Sequence, residues 1–300
     1  MKNRVVVLGI AAELGAKMSG TGDAPAKLRQ AGIIEVLKKY GIDFKDLGDI
    51  KFKIRKNERI IKNAKHLGSI ITNTKKVLKI VGSSVNEGDF LLVFGGDHSI
   101  SMGTLGQLAK ANKKIGVLYL DAHGDFNTPV ISPSGNVHGM GLAILAGEYH
   151  LHGLTIGRVN PHLISILGVR DLDPEEKILL KDSEVKLISV KQARKSGLER
   201  YVKHFISVCK KGDRKVHVSL DIDVMDPKFA PGTATPVAGG FTKTEMLGIM
   251  KLLGESDTVV SLEIVEVNPH LDHEGTTIRT VEELVNVFFY AFSERKNDIR

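Results

Sequence analysis

The sequence predicts an α/β protein in which helices cover both faces of a parallel β-sheet. Short apolar segments of strand length alternate along the chain with longer segments of helical periodicity. Continuously apolar strands are typical of parallel sheets, because helices bury both of their faces. Polar and charged residues follow directly after several of these segments, at the sheet edge where α/β proteins bind ligands.

The strands are predicted from runs of β-branched and other apolar residues that end at glycine or at a polar side chain. They are residues 5–9, 90–94, 115–120, 163–169, 186–190, 216–220 and 259–265. We expect right-handed crossover connections between parallel neighbours.

Helical periodicity predicts helices over residues 24–40, 60–81, 204–210 and 277–292. The first of these helices has Asp23 as its N-cap, Pro25 in its first turn and Gly41 as its C-cap. The sequence contains no internal repeat, low-complexity segment or linker, so residues 1–300 are predicted to form a single domain.

Composition argues against several classes of protein. The hydrophobic fraction of 42% suits a packed core, yet no apolar run approaches the roughly 20 residues of a membrane helix. The net charge of +7 comes from dispersed lysines, and aromatic residues make up only 5%, so we expect no nucleic-acid binding. The single cysteine, Cys209, cannot form an internal disulfide, which favours a reducing, cytoplasmic location.

Polar residues after the predicted strands are expected to meet at one edge of the sheet. Residues two apart at a strand end point the same way, so Asp121, His123 and Asp125 should converge, and Gly124 permits close backbone approach. The other strand ends bring His98, Arg170, Asp171, Asp221, Asp223 and Glu266 to the same edge.

Within this set, a pair of metal ions is predicted from four carboxylates and two imidazoles, namely those of Asp121, Asp125, Asp221, Asp223, His98 and His123. Carboxylates cannot cluster in a cleft without countercharge, and two divalent cations supply it. A donor set rich in oxygen and free of thiolate favours manganese over zinc or copper. Two bridged ions can share a water and lower its pKa toward neutrality, which provides a nucleophile for hydrolysis. A lone strand-end Asp is usually a helix N-cap, so the prediction depends on the whole cluster.

Three motifs resemble the metal-binding motifs of the ureohydrolase family, the arginases and agmatinases. They are GGDHS at 95–99, DAHGD at 121–125 and SLDID at 219–223. The resemblance extends over nearly the whole chain and implies a three-layer αβα domain around a mostly parallel sheet of eight strands. It also implies two manganese ions per subunit, the first bound by His98, Asp121, Asp125 and Asp221, and the second by Asp121, His123, Asp221 and Asp223.

The segments 127–140 and 170–176 resemble those of arginases more than those of agmatinases. The resemblance therefore implies L-arginine as the small-molecule substrate. The residues implied to hold its α-carboxylate are Asn127 and Ser134, and those implied to bind its α-ammonium group are Asp173 and Glu176. Neutral amide and hydroxyl donors suit a carboxylate, partly through water.

The resemblance also implies the reaction. A metal-bridging hydroxide would attack the guanidinium carbon to give L-ornithine and urea, with Asp125 accepting a hydrogen bond from the hydroxide. His138 would shuttle protons or protonate the leaving amine, since the pKa of imidazole lies near neutrality. Glu266 would hold the planar guanidinium in bidentate fashion, with Thr235 beside it. Members of the family are commonly trimers or hexamers, which implies a homotrimer or a homohexamer.

Two positions depart from the family pattern, and three other functions stay open. Val224 and Ala234 replace usual glycines, and an added Cβ would crowd the backbone if φ there were positive. An agmatinase or another guanidino-compound hydrolase would keep the metals but change the substrate loops. A metallophosphatase would need phosphate-binding side chains, for which Arg170 is the obvious candidate. A non-catalytic descendant would normally have lost a metal ligand or His138, yet all are present.

Overall fold

The computed structural model of the chain describes residues 4–56, 58, 61 and 63–295. In this part of the chain eight strands form one sheet surrounded by helices, which confirms the predicted fold class. The strands are β1 Val5–Ala11, β2 Phe44–Lys51, β3 Phe90–Phe94, β4 Gly116–Leu120, β5 Ile164–Val169, β6 Lys186–Ser189, β7 Val216–Asp221 and β8 Val259–Val265. Their order across the sheet is β2-β1-β3-β8-β7-β4-β5-β6, and every pairing is parallel.

Alternate residues of the central strands pack into different hydrophobic clusters, so both faces of the sheet are buried. In β3, Phe90, Leu92 and Phe94 belong to one cluster, whereas Leu91 and Val93 belong to another. This arrangement follows from the two-residue period of a strand and explains why the strand segments are apolar throughout.

The helices that supply these clusters lie between the strands in the chain, except for α10, which follows the last strand. They are α1 Ala24–Gln30, α2 Ile33–Lys39, α3 Leu67–Ser84, α4 Ser101–Ala111, α5 Gly141–Ala146, α6 Pro174–Asp182, α7 Val190–Ser196, α8 Leu198–Lys211, α9 Lys243–Glu255 and α10 Thr276–Glu294. Within the described residues, no helix has the length and apolar character needed to span a membrane.

Strand β2 was absent from the strands predicted by apolar runs. It pairs only with β1 within the described sheet, and most of its residues are exposed or half-buried. Its sequence, FKDLGDIK, carries charges because an edge strand has one side open to water, and charged side chains also discourage pairing with other molecules. A search for continuous apolar runs cannot find such a strand.

The helix predicted over residues 24–40 is instead two helices, α1 and α2. Gly32 between them has a φ of +91°, a left-handed conformation that interrupts the helix. Asp23 occupies the N-cap position of α1, but its side chain makes no cap hydrogen bond, and its Oδ2 lies 2.8 Å from Nε2 of His270. Gly41 follows α2 with the positive φ typical of a helix end.

Other predicted boundaries also differ from the structure, and α8 spans Leu198–Lys211 where only residues 204–210 were predicted. Helix α3 begins at Leu67, after His66 with a φ of +54°, whereas Ile60, the predicted start, lies outside the described residues. The strand predicted to reach Val190 ends at Ser189, because the Ser189 hydroxyl caps α7 and Val190 is the first residue of that helix.

Candidate metal centre and cavity

The four central strands carry the candidate metal ligands at their carboxyl ends. Strands β3, β8, β7 and β4 are neighbours in the sheet. Because these strands are parallel, the residues that follow them meet at one edge. His98 follows β3, residues 121–125 follow β4, Asp221 and Asp223 lie at the end of β7, and Glu266 follows β8.

His98 lies at the centre of one group of carboxylates. Its Nδ1 is 3.2 Å from Oδ2 of Asp121, 3.0 Å from Oδ2 of Asp125 and 3.1 Å from Oδ2 of Asp221. All four residues are buried. This geometry brings together the four residues that the family resemblance implied as ligands of the first ion.

Buried neighbours hold the imidazole of His98 in this orientation. Oγ of Ser219 donates to Oε1 of Glu263 at 2.8 Å and lies 2.7 Å from Nε2 of His98. The hydroxyl has one proton, so it accepts from Nε2–H of His98, and Nδ1 is the ring nitrogen that faces the carboxylates. Tyr119 stacks on the His98 ring with centroids 4.4 Å apart and donates to Oδ2 of Asp125 at 2.8 Å.

His123 lies in a second group that shares Asp121 with the first. Nδ1 of His123 is 3.5 Å from Oδ1 of Asp121 and 3.0 Å from Oδ2 of Asp223. Asp223 is held in place by the backbone N–H of Ala122 at 3.2 Å and by the hydroxyl of Thr235 at 3.0 Å. Thr235, predicted to lie beside the guanidinium, therefore also positions a candidate metal ligand.

The electrostatics of the two groups fit divalent cations. Burial would lower the pKa of His98, but Asp121, Asp125 and Asp221 outweigh it and raise that pKa well above its usual value. Burial and the charge of Asp223 raise the pKa of Asp221 well above its usual value. Oδ2 of Asp121 is buried and accepts no hydrogen bond. The sets able to hold an ion, each with donor atoms within 4.8 Å of one another, are His98, Asp121 and Asp125, and Asp121, His123 and Asp223.

The turn after β4 contains a residue with an uncommon backbone conformation. Asp125 has a φ of +49°, which is rare outside glycine, and its carbonyl accepts hydrogen bonds from the N–H groups of Leu142 and Ala143. A Cβ at Gly124 would lie 2.8 Å from Oε1 of Glu176. Glycine at this position therefore lets the turn approach the wall of the neighbouring cavity.

A cavity of about 210 Å³ opens above the carboxylate cluster. We call the six candidate metal ligands the floor, namely His98, Asp121, His123, Asp125, Asp221 and Asp223. We call the polar loop residues that line the cavity the wall, namely Asn127, Ser132, Ser134, Asn136, Asp171, Asp173 and Glu176. His138 and Thr235 also line the cavity.

Three residues of the wall were not among those assigned a site role from the sequence: Ser132, Asn136 and Asp171. Ser132 lies two residues before the predicted Ser134, and Asn136 lies two residues before the predicted His138, an alternation that would have placed all of them on one side of the loop. Asp171 lies two residues after the end of β5, and its Oδ2 lies 3.9 Å from Nε2 of His123.

Three of the four predicted binders of the amino-acid group are linked by hydrogen bonds, whereas the hydroxyl of Ser134 accepts from the N–H of Asn136. Nδ2 of Asn127 donates to Oδ2 of Asp173 at 2.9 Å, while Oδ1 of Asn127 is buried without a partner. Asp173 and Glu176 form the capping box of α6, and Oε1 of Glu176 accepts from the N–H of Phe126 at 2.8 Å. Burial raises the pKa of Glu176 to about 7.

The buried Glu266 contacts the half-buried His138. Oε1 of Glu266 lies 2.9 Å from Nδ1 of His138 and accepts from the N–H of His98 at 2.8 Å. Burial would lower the pKa of His138, but the Glu266 carboxylate outweighs burial and raises that pKa to about 9. Oε2 of Glu266 is buried and has no hydrogen-bond partner.

The departures from the family pattern cause no backbone strain. Neither Val224 nor Ala234 has a positive φ. Val224 is buried, and its Cγ2 occupies the space that a Cβ at Gly168 would need, at 2.4 Å. Arg170 donates to the backbone carbonyls of Gly168, Asp223, Val224, Met225 and Val237. Its guanidinium is thus committed to holding this loop and does not serve as a phosphate-binding group.

Comparisons with known proteins agree with this geometry. The sequence model of the arginase family matches residues 3–290. The chain is 38% identical to an arginase of Brevibacillus brevis, and the match covers 96% of this chain and 98% of that protein. The native structure of arginase from Bacillus caldovelox superposes with a TM-score of 0.89 at 37% identity, covering 96% and 98% of the two chains. An Entamoeba histolytica arginase in complex with L-ornithine has a TM-score of 0.85 at 29% identity, covering 96% and 100%.

Proposed function

The chain belongs to the arginase family, and we propose that it hydrolyses the guanidinium group of L-arginine to L-ornithine and urea. The observation that carries the proposal is a single cavity whose lining joins three residues of the floor, His123, Asp125 and Asp221, to a wall of amide, hydroxyl and carboxylate groups. The floor suits hydrolysis by an activated water. The wall offers hydrogen-bond donors for a carboxylate and acceptors for an ammonium group, which are the two charged groups of an amino acid.

We propose two manganese ions as the cofactor, with Asp121 and Asp221 shared between them. The donor set of carboxylate oxygens and two imidazoles, with no thiolate, supports manganese. When bound, the ions would supply a water of lowered pKa and stabilise the charge that develops on the substrate. The buried Oδ2 of Asp121, which accepts no hydrogen bond, supports a cation at this position.

His138 is proposed to move the proton that the leaving group requires. Oε1 of Glu266 holds Nδ1 of His138, so Nε2 is the ring nitrogen left to exchange a proton. With a pKa near 9, the imidazole is protonated at neutral pH and can donate to the amine nitrogen as its bond to the guanidinium carbon breaks. Asp125, steadied by Tyr119, would accept the proton of the attacking water.

The remaining residues are proposed to orient the substrate. Oε2 of Glu266 would accept from a guanidinium N–H, and Thr235 would lie beside it. Asn127 and Ser134 would donate to the α-carboxylate, whereas Asp173 and Glu176 would accept from the α-ammonium group. Substrate would then replace the 2.9 Å bond between Asn127 and Asp173 with one bond from each residue to the ligand.

We also propose that residues 1–300 form one catalytic domain, assembled as a homotrimer or a homohexamer. The floor supports a single domain, because its residues lie between positions 98 and 223 and Glu266 reaches the same edge from β8. The family resemblance supports the oligomer, and light scattering of the purified protein tests it.

The first experiment is to measure urea release by the purified protein after addition of manganese. L-arginine, agmatine and guanidinobutyrate are compared, and metal content is determined on the same sample. We expect preference for L-arginine and loss of activity with a chelator or with His138→Ala. Activity on agmatine alone would mean that the wall is wrongly assigned, whereas two bound ions without urea from any substrate would overturn the proposed reaction.

A further inference from the structure

We propose that Lys65 is a specificity-determining residue that recognises the substrate carboxylate at the edge of the cavity. The inference rests on the proposed function, because it assigns a role in binding the amino-acid end of L-arginine. It concerns a residue that belongs to neither the floor nor the wall, on the segment that precedes α3.

The backbone at Lys65 is attached to the loop that carries part of the wall. The N–H of Lys65 donates to the carbonyl of Gly135 at 2.8 Å. The preceding residue, Ala64, is fully buried and packs in the same hydrophobic cluster as Val137 and Met140. The position of Lys65 relative to the wall is therefore set by a backbone hydrogen bond and by buried packing.

The side chain of Lys65 contacts the wall directly. Its Nζ lies 3.2 Å from Oδ1 of Asn136, and Asn136 lines the cavity. An ammonium group only donates, so the carbonyl oxygen of Asn136 is occupied and its amide NH₂ is left to donate to a ligand. Lys65 thereby turns the donor end of Asn136 toward a carboxylate.

The charge of the cavity gives Lys65 a second effect. No described residue that lines the cavity is lysine or arginine, whereas its carboxylates are Asp125, Asp171, Asp173, Glu176 and Asp221. A ligand carboxylate on the wall would therefore meet acidic neighbours. Lys65 is exposed and places a positive charge next to a wall residue, which reduces this repulsion. Agmatine, which is arginine without the carboxylate, gains nothing from this charge.

The test compares Lys65→Met, which removes the charge but keeps an unbranched stem, with Lys65→Arg, which keeps the charge. Lys79→Met is the matched control, because Lys79 is an exposed lysine about three turns along α3 from its start. KM and kcat for L-arginine are measured with the manganese-containing enzyme at low and high salt, and agmatine is measured as a substrate or as a competitive inhibitor. Binding of L-ornithine is measured by calorimetry.

We expect Lys65→Met to raise KM for L-arginine and weaken L-ornithine binding by roughly two- to fivefold, the scale of an exposed charge interaction, with kcat unchanged. Agmatine should bind as before, salt should reduce the difference, and Lys65→Arg and Lys79→Met should match the native enzyme. Equal losses for L-arginine and agmatine, or no loss for L-arginine, would overturn the role of Lys65. If the native protein neither releases urea from L-arginine nor binds L-ornithine, the proposed function itself fails.

Discussion

The floor and the wall of the cavity differ in how their side chains are held. Floor residues lie at the carboxyl ends of three central strands, β3, β4 and β7, and all except His123 are buried. Wall residues lie on loops or at a helix start, and Ser134 and Asp171 are exposed. The sheet thus preorganises the groups proposed for chemistry, whereas the loops carry the groups proposed to choose among guanidino compounds.

The largest effect is expected from removing Asp121, the carboxylate that belongs to both groups of candidate metal ligands. Asp121→Ala should reduce the manganese content below two ions per subunit and lower kcat/KM by about a thousandfold or more, because metal stabilisation is worth several kcal/mol and each 1.36 kcal/mol is tenfold. Metal analysis and urea release on the same samples measure this.

Asp171→Ala is the matched control, because it removes an exposed carboxylate of the wall near His123. This variant should keep its metal. If it lost manganese as readily as Asp121→Ala, the distinction between floor and wall would be wrong.

A smaller effect is expected from the buried hydroxyl that orients His98. Ser219→Ala removes the partner of Nε2, and manganese affinity should fall by about 10- to 100-fold, the usual cost of losing such a partner. Equilibrium titration of manganese measures the affinity. Ser261→Ala serves as the control, because the Ser261 hydroxyl contacts His217 at 2.8 Å instead. Equal weakening by both variants would show that general loosening of the core, and not the orientation of His98, is responsible.

A substitution in the wall should weaken substrate binding without changing the metal content. Asp173→Asn removes the charge proposed to bind the ammonium group but keeps a good N-cap for α6. KM for L-arginine should rise by about tenfold or more, the cost of a hydrogen bond to a charged group, while manganese content stays at the native level. Steady-state kinetics with metal analysis decide the matter, and a loss of manganese would contradict the division between wall and floor.

The smallest effect is expected at the ion pair of Arg194 and Glu245, which lies outside both the floor and the wall. Its loss shows how much a surface substitution alone changes the protein. Glu245→Gln keeps the capping box of α9 but removes the charge opposite Arg194, whose Nε lies 2.7 Å from Oε1 of Glu245. Both groups are partly exposed, so the free energy of unfolding should fall by less than about 1 kcal/mol at neutral pH.

The difference in free energy of unfolding between the native protein and Glu245→Gln should depend on pH in one direction. The hydrogen bond from Arg194 lowers the pKa of Glu245 from 4.5 to about 2. The stabilisation is therefore present above pH 4.5 and is lost as the pH falls through about 2. Denaturant unfolding of both proteins at neutral pH and near pH 3.5 should show the difference shrinking in acid. A difference that grows in acid would contradict the assignment.

The part of the site that could be predicted consists of the residues that follow the predicted strands. His98, Asp121 and Asp223 each follow or end an apolar run, so a parallel sheet brings them to one edge. Their supports were not predictable, because those contacts join distant segments. Glu263, for example, accepts hydrogen bonds from Ser101 at 2.5 Å and from Ser219 at 2.8 Å, across three different elements.

The sequence by itself determined the sheet, its parallel strands and the residues at their carboxyl ends. The physical reason is local: strand length, apolar runs and the chemistry of the residue that ends each run are all encoded within a few positions. The tertiary structure alone decided the charged edge strand β2, the break at Gly32 and the partners of each site residue. It also showed that Arg170 serves the backbone and that Lys65 reaches Asn136. Such contacts depend on which loops pack together, and this packing cannot be predicted from the spacing of residues along the chain.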